Sequence, residues 1–279
     1  LRHIDAEGKN GEVLLEVEDL GHRYPDGTQA LSGASFSIRR GEFVAILGQN
    51  GSGKTTLVKH LNGILAPTHG DIRLSGQSLR GQPSTRLSRL VGLVFQNPDH
   101  QIFAERVWDE VAFGPRLQGL AEKDVARCVD EALEAVGLAG AGDLDPFVLT
   151  KGSRQRVAVA STLATKPEVI ILDEPTTGLD QRELDGMMAL IRRLNQAGHT
   201  ILIITHSMSV AAAYARRVIL MQGGRIVRDG SAREIFSDES SLLGLGLTPP
   251  PAVQVANRLG VPALTLDELI ESLCRGTEG

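Results

Sequence analysis

Residues 48–56 read Gly48-Gln49-Asn50-Gly51-Ser52-Gly53-Lys54-Thr55-Thr56. The stretch matches G-x-x-x-x-G-K-[ST], the pattern of a phosphate-binding loop. Its flanks supply the strand–loop–helix setting that the pattern needs. Before it, Phe43-Val44-Ala45-Ile46-Leu47 is a continuous apolar run of strand length. After it, Leu57, Val58, Leu61 and Ile64 recur at helical spacing. Glycines let successive backbone N–H groups turn toward an anion without Cβ collisions. The start of a helix adds free N–H groups and the positive end of its dipole. The expected nucleotide contacts are Gly48, Asn50, Gly51, Ser52, Gly53, Lys54, Thr55 and Thr56. Lys54 would bridge the β- and γ-phosphates, and the Thr55 hydroxyl would hold Mg²⁺. An accidental glycine turn would not carry both flanks.

Composition narrows the partners. The 279 residues fit one large domain, or one domain with an appendage, and 42% hydrophobic content is enough for a sizeable core. Aromatic content is 4%, with one Trp and two Tyr, too little for an interface of bases stacked on rings. The formal net charge of −5 argues against nucleic acid or anionic lipid as the main partner. The pairs Arg39-Arg40, Arg192-Arg193 and Arg216-Arg217 read as solvated faces. Cys128 and Cys274 stand in no metal or redox spacing and read as reduced thiols. No apolar run approaches the ~20 residues that span a bilayer. Leu1 to Asn10 is charged and lacks the apolar core of a secretory signal. A membrane role is therefore expected to run through a partner.

Strands and helices alternate along the chain. Residues 12–20 and 34–38 alternate apolar and polar positions, as half-exposed strands do, with Pro25-Asp26-Gly27 as a turn between them. Further strands are expected at 72–74 and 91–95. From 122 to 136, Val125, Val129, Ala132, Leu133 and Val136 make one helix face, ended by Gly137. Residues 169–172 and 200–204 are continuous apolar runs, which suit strands buried on both faces of a parallel sheet. The character changes past Gly230. Thr248-Pro249-Pro250-Pro251 is a breaker, and Thr265-Leu266-Asp267-Glu268 reads as a capping box stapled by Leu264 and Leu269. Leu266, Leu269, Ile270 and Leu273 form a stripe that suits either a helix packed on its own domain or a small dimerisation appendage.

The run 169–172 leads straight into Asp173-Glu174. An acid at this point supports Mg²⁺ beside a phosphate loop, and the next one can act as general base toward water. Pro175-Thr176-Thr177-Gly178-Leu179-Asp180 follows. With these residues the chain resembles an ATP-binding cassette (ABC) ATPase across almost all of residues 12–230. Gln96 falls at the family's Q-loop glutamine, and Leu149-Thr150-Lys151-Gly152-Ser153-Arg154-Gln155 at its LSGGQ signature. Gly178-Leu179-Asp180 falls at the D-loop, and His206 at the switch histidine. Tyr24 stands where the family stacks an aromatic ring on adenine.

The resemblance implies an α/β fold of the P-loop NTPase type. It would have a RecA-like core, an antiparallel β subdomain, an α-helical subdomain inserted at 97–150 and a C-terminal extension at 231–279. It implies ATP and Mg²⁺ as cofactors, with Thr55, Gln96 and Asp173 around the metal. Glu174, His206 and Gln96 would be catalytic, and Tyr24, Thr150, Gly152 and Asp180 would join the phosphate loop on the nucleotide. It further implies a head-to-tail homo- or heterodimer with two ATP molecules in its interface, where Thr150 and Gly152 touch the partner's γ-phosphate. One departure stands out: Lys151-Gly152-Ser153 replaces the family's Gly-Gly-Gln, which suits an unequal pair of subunits or is harmless.

The local wording is more specific. His22-Arg23-Tyr24-Pro25-Asp26-Gly27, His60-Leu61-Asn62-Gly63, Val94-Phe95-Gln96-Asn97-Pro98-Asp99-His100-Gln101-Ile102-Phe103 and Asp109-Glu110-Val111-Ala112-Phe113-Gly114-Pro115 resemble the ATPase of energy-coupling factor (ECF) transporters. That resemblance implies a peripheral protein on the cytoplasmic face of the cell membrane. Its partners would be a transmembrane coupling protein and a small substrate-binding membrane protein, not nucleic acid, and its cargo a vitamin or a transition-metal ion. The segment from Asn97 to Pro115 would lie near the groove for the coupling helix. The alternatives are the ATPase of another ABC subfamily, or a soluble ABC ATPase acting on DNA or ribosomes. The last would call for a coiled coil or zinc insertion before the signature, or a second cassette. About 95 residues separate loop and signature here, without heptads or cysteine pairs.

Overall fold

The structure is a computed structural model and describes residues 11–276. The strands are β1 (Val13–Arg23), β2 (Gln29–Arg39), β3 (Phe43–Leu47), β4 (His69–Leu74), β5 (Gln77–Ser78), β6 (Val91–Val94), β7 (Val169–Asp173), β8 (Thr200–Ile204), β9 (Arg217–Gln222) and β10 (Arg225–Ser231). The helices are α1 (Lys54–Leu61), α2 (Ser84–Leu90), α3 (Val107–Leu117), α4 (Glu122–Ala135), α5 (Lys151–Ala164), α6 (Gln181–Gln196), α7 (Met208–Tyr214), α8 (Ala232–Ser237), α9 (Glu239–Gly244), α10 (Pro251–Leu259) and α11 (Leu266–Gly276).

The apolar runs explain the central sheet. Its order is β10-β9-β3-β8-β7-β6. β3 pairs in parallel with β8 and β9, and β7 pairs in parallel with β6 and β8. Successive strand residues point to opposite faces. Phe43, Ala45 and Leu47 of β3 accordingly enter one hydrophobic cluster, with α3 to α6, while Val44 and Ile46 enter a second. Ile170 and Leu172 of β7, and Ile201 and Ile203 of β8, divide from their neighbours in the same way. Both faces are thus buried, and the middles of β3, β7 and β8 are wholly apolar.

A four-stranded antiparallel sheet, β2-β1-β4-β5, covers the second face. It is stitched to the first sheet where Ser32 N–H donates to the Gly224 carbonyl at 2.9 Å. On the other side, α3, α4 and α5 pack on one another through Val125, Val129, Ala132 and Leu133 of α4. The fold is therefore mixed α/β, with the helical group between β6 and β7, as expected.

Several details differ from the sequence reading. α1 stops at Leu61, with Asn62 and Gly63 (φ 77°) turning the chain, so Ile64 is exposed rather than on the buried helix face. At α11, Thr265 Oγ1 accepts from Glu268 N–H at 3.2 Å, but the Glu268 carboxylate accepts from Leu264 N–H at 3.0 Å, one residue earlier than a capping box requires. Leu264 and Leu269 pack in different clusters and form no staple. Leu266, Ile270 and Leu273 of the stripe are exposed, whereas Leu269 is buried with Ala256 and Ala263. Arg217 is no solvated residue: its guanidinium holds both Asp229 oxygens, at 2.7 and 2.6 Å, and also reaches Glu42 and the Ser37 carbonyl. The reading of Leu1 to Asn10 lies outside the described residues.

Ile203 is the test of this packing, since it sits fully enclosed on β8 between β3 and β7. Ile203→Ala should lower the unfolding free energy by about 2–5 kcal/mol in urea melts. A loss under about 1 kcal/mol would contradict the burial of this strand.

Candidate active site

The parallel register delivers the ends of four strands to one edge. Ile46 pairs with Ile204, Asp173 with Ile204, and Leu172 with Val94. The segments that follow β3, β8, β7 and β6 therefore meet there, carrying the phosphate loop, His206, Glu174 and Gln96.

In the loop, Gly53 adopts φ 102° and caps α1. A β-carbon at Gly48 would fall 2.4 Å from the Met221 carbonyl oxygen, so only glycine fits. Lys54 curls back over the loop and donates to the carbonyls of Gly48 at 2.7 Å and Gln49 at 2.9 Å, and to Ser52 Oγ at 3.3 Å. Burial pulls its ammonium below the usual lysine range, against the opposing pull of Glu174 and Asp173.

Asp173 ends β7, and Glu174 follows with φ 48°, a left-handed backbone that costs a non-glycine residue about 1–3 kcal/mol. Its N–H donates to the Ile204 carbonyl at 2.8 Å. Its carboxylate receives Thr205 Oγ1 at 3.2 Å on one oxygen and lies 2.7 Å from His206 Nδ1 on the other. Thr205 was not expected from the sequence, because a threonine at a strand end is ordinary. Burial, then the Glu174 charge, push Asp173 above the usual carboxylate range, and Lys54 works against them.

Other expected residues are placed as follows. Tyr24 follows β1, and its hydroxyl shares a hydrogen bond with Thr56 Oγ1 at 3.1 Å, beside a cavity of about 770 Å³. Gln96 follows β6 with its side chain exposed. Thr150 caps α5, its hydroxyl oxygen accepting from Ser153 N–H at 3.2 Å. Asp180 caps α6 by accepting from Glu183 N–H at 2.8 Å. Gly152 N–H donates at 3.3 Å to the Glu183 carboxylate. Glu183 thus sits on the signature from three residues past the D-loop, a contact that no local pattern announces. α5 packs against α3, α4 and α6.

The ABC transporter family model matches residues 31–177, from β2 through the D-loop approach. The chain belongs to the ABC transporter ATP-binding proteins. An ATP-binding protein of this family from Caldanaerobacter subterraneus subsp. tengcongensis is 49% identical over 96% of this chain, which covers 47% of that protein. The chain spans about half the length of the first curated relatives that it matches. The energy-coupling factor transporter ATP-binding protein EcfA of Methanocaldococcus jannaschii is 44% identical over 85% of this chain and 86% of its own length. Among solved structures, cbiO1 from Clostridium perfringens, described as part of the ABC transporter complex cbiONQ, superimposes with a TM-score of 0.77. It is 36% identical, over 88% of this chain and 98% of its own. As a member of this family the chain carries a nucleotide-binding cassette.

The raised affinity of Asp173 for its proton makes a signed prediction. A carboxyl that binds its proton more tightly folded than unfolded costs stability once pH rises above the usual carboxylate range. Without nucleotide or divalent cation, Asp173→Asn should melt at a higher temperature than the parent at about pH 7, with the gap closing toward about pH 4. A variant that melts lower at neutral pH would mean that Asp173 is favourably paired instead.

Proposed function

We propose that this chain is the ATP-hydrolysing subunit of an ECF-type importer and powers uptake of a vitamin or a transition-metal ion. The observation that carries the hydrolytic part is the grip on Glu174: a strained residue, held by His206 and Thr205, at the strand edge that also carries Lys54. Strain kept at such a point is repaid in function. The importer part is supported by the likeness to EcfA and cbiO1.

In this reading adenine lies against Tyr24 and the triphosphate in the loop from Gly48 to Thr56. Lys54 turns from the loop carbonyls to the β- and γ-phosphates. Asp180 shapes the D-loop at the start of α6. Thr55, Asp173 and Gln96 offer the oxygen donors that Mg²⁺ takes, and a cation would relieve the crowding of Asp173 by Glu174. Bound Mg²⁺ would offset the negative charge on the phosphates. Glu174 accepts a proton from the attacking water, whose oxygen bonds to the γ-phosphorus as the bond to the β–γ bridging oxygen breaks. His206 orients Glu174 and reaches the γ-phosphate.

The working unit would be a head-to-tail pair of cassettes, identical or unequal, in which Thr150 and Gly152 complete the partner's site. Residues 12–230 form the ATPase, with 97–150 as its helical subdomain, and 231–279 form an appendage. No helix among the described residues is long and apolar enough to cross a membrane. A membrane coupling protein would dock in the cavity of about 430 Å³ lined by Ile64, Phe95, Phe103 and Phe113. Phe103 and Phe113 meet edge-on at 4.9 Å, both exposed, and buried Glu110 pins the backbone N–H groups of Phe103 and Ala104 at 3.0 Å. The coupling protein would carry a small substrate-capturing membrane protein and hold the chain on the cytoplasmic face of the membrane.

Glu174→Gln should keep ATP binding and lower hydrolysis by about 10²- to 10⁴-fold in a phosphate-release assay. A parental rate would remove Glu174 as the base. Lys54→Ala should instead weaken ATP binding itself. Purification of the tagged protein from detergent-solubilised membranes should bring a multi-span coupling protein and a small membrane protein. Recovery of ribosomal or DNA-bound proteins alone would overturn the importer reading.

A further inference from the structure

Two histidines that the hydrolytic reading leaves unused form a buried pair behind Tyr24. His22, at the end of β1, is 7% exposed, and His60, in the last turn of α1, is 2% exposed. His60 Nδ1 lies 2.7 Å from the Thr56 carbonyl oxygen, and its Nε2 lies 3.0 Å from His22 Nδ1. A carbonyl can only accept, so His60 carries its proton on Nδ1. Burial holds His60 below the usual histidine range, and its neutral Nε2 then accepts from the Nδ1–H of His22.

The pair therefore runs in one direction, from β1 through two imidazoles to the backbone of α1. It leaves His22 Nε2 a bare lone pair, buried with no hydrogen-bond partner. Such an orphan destabilises the fold, and an apolar side chain would avoid that cost. Meanwhile the His22 ring meets Tyr24 edge-on, with centroids 4.6 Å apart, and the Tyr24 hydroxyl is tied to Thr56. Thr56 is thus the common anchor: its carbonyl holds the histidine pair, and its hydroxyl holds the tyrosine. It stands two residues after Lys54.

We propose that His22 and His60 are positioning residues for the nucleotide base, locking the Tyr24 ring to the helix that starts at the phosphate loop so that base and triphosphate are gripped in one fixed geometry. The inference rests on the ATP-binding reading above. It predicts a loss confined to ligands that carry a base, because a bare triphosphate never meets Tyr24. Preorganisation of an aromatic face of this kind is worth about tenfold in affinity.

The test is displacement of a fluorescent ATP analogue by ATP and by inorganic tripolyphosphate. His22→Leu should weaken ATP about tenfold and leave tripolyphosphate unchanged. His22→Asn, whose amide can donate where Nδ1 does, should return ATP to within about threefold of the parent. His60→Leu, which removes the partner of His22 Nδ1, should show the same base-dependent loss and serves should His22→Leu not fold. Equal losses for ATP and tripolyphosphate, or no loss in a folded variant, would overturn the positioning role. A parental protein that binds tripolyphosphate but not ATP would remove its ground as well, and that result shows in the parent before any variant is made.

Discussion

A β-carbon on residue 48 would lie 2.4 Å from the Met221 carbonyl and 2.6 Å from the Ser52 hydroxyl, and the rest of the site follows from that lack of room. Met221 stands there because β9 pairs in parallel with β3, Leu220 facing Leu47. The phosphate loop is therefore moulded by the neighbouring strand rather than by what it binds. Gly53 is confined in the same way, a β-carbon there falling 2.6 Å from the Ala30 carbonyl of the antiparallel sheet. Two sheets press on one loop from different sides, which is how a run of small, conformationally free residues becomes a rigid cradle. Such rigidity lowers the ordering cost of binding.

The charges at the same edge are arranged in opposition. Lys54 is partly desolvated and answered by two acids; Asp173 is pushed toward its neutral form by burial and by the next carboxylate in the chain. Glu174 turns through a left-handed backbone, and its carboxylate meets His206 and Thr205. One strained residue thus gives two adjacent acids different surroundings.

Much of this was legible in the chain because the chemistry is local. The loop 48–56, the apolar runs at 43–47, 169–172 and 200–204, and the acids at 173 and 174 carry their meaning within a few residues. What stayed hidden depends on approach between distant segments. Glu183 reaches Gly152, Thr205 reaches Glu174, and His22 reaches His60, each pair brought together by strand order or helix packing. Arg217 looked like a solvated charge because its neighbour Arg216 is one, yet strand pleating turns adjacent residues to opposite sides, and Arg217 finds Glu42 and Asp229. The staple expected at Leu264 and Leu269 failed for a related reason: the C-terminal helices give these leucines competing tertiary partners.

The order of strands in the central sheet also has a bearing on synthesis. β3, which carries the phosphate loop, emerges with neither of its neighbours yet made. Gly41 waits for Thr200, 159 residues later, and Gln49 for the Gly246 carbonyl, 197 residues later. Contacts of such separation form late, because chain closure must precede them. While the ribosome works, a fully apolar strand and an unformed anion cradle stand open, and the helices between β6 and β7, whose contacts lie close in sequence, are complete before the sheet can close around them. The strand edge that carries Lys54, Glu174 and His206 can be assembled only after β8 and β9 have been made.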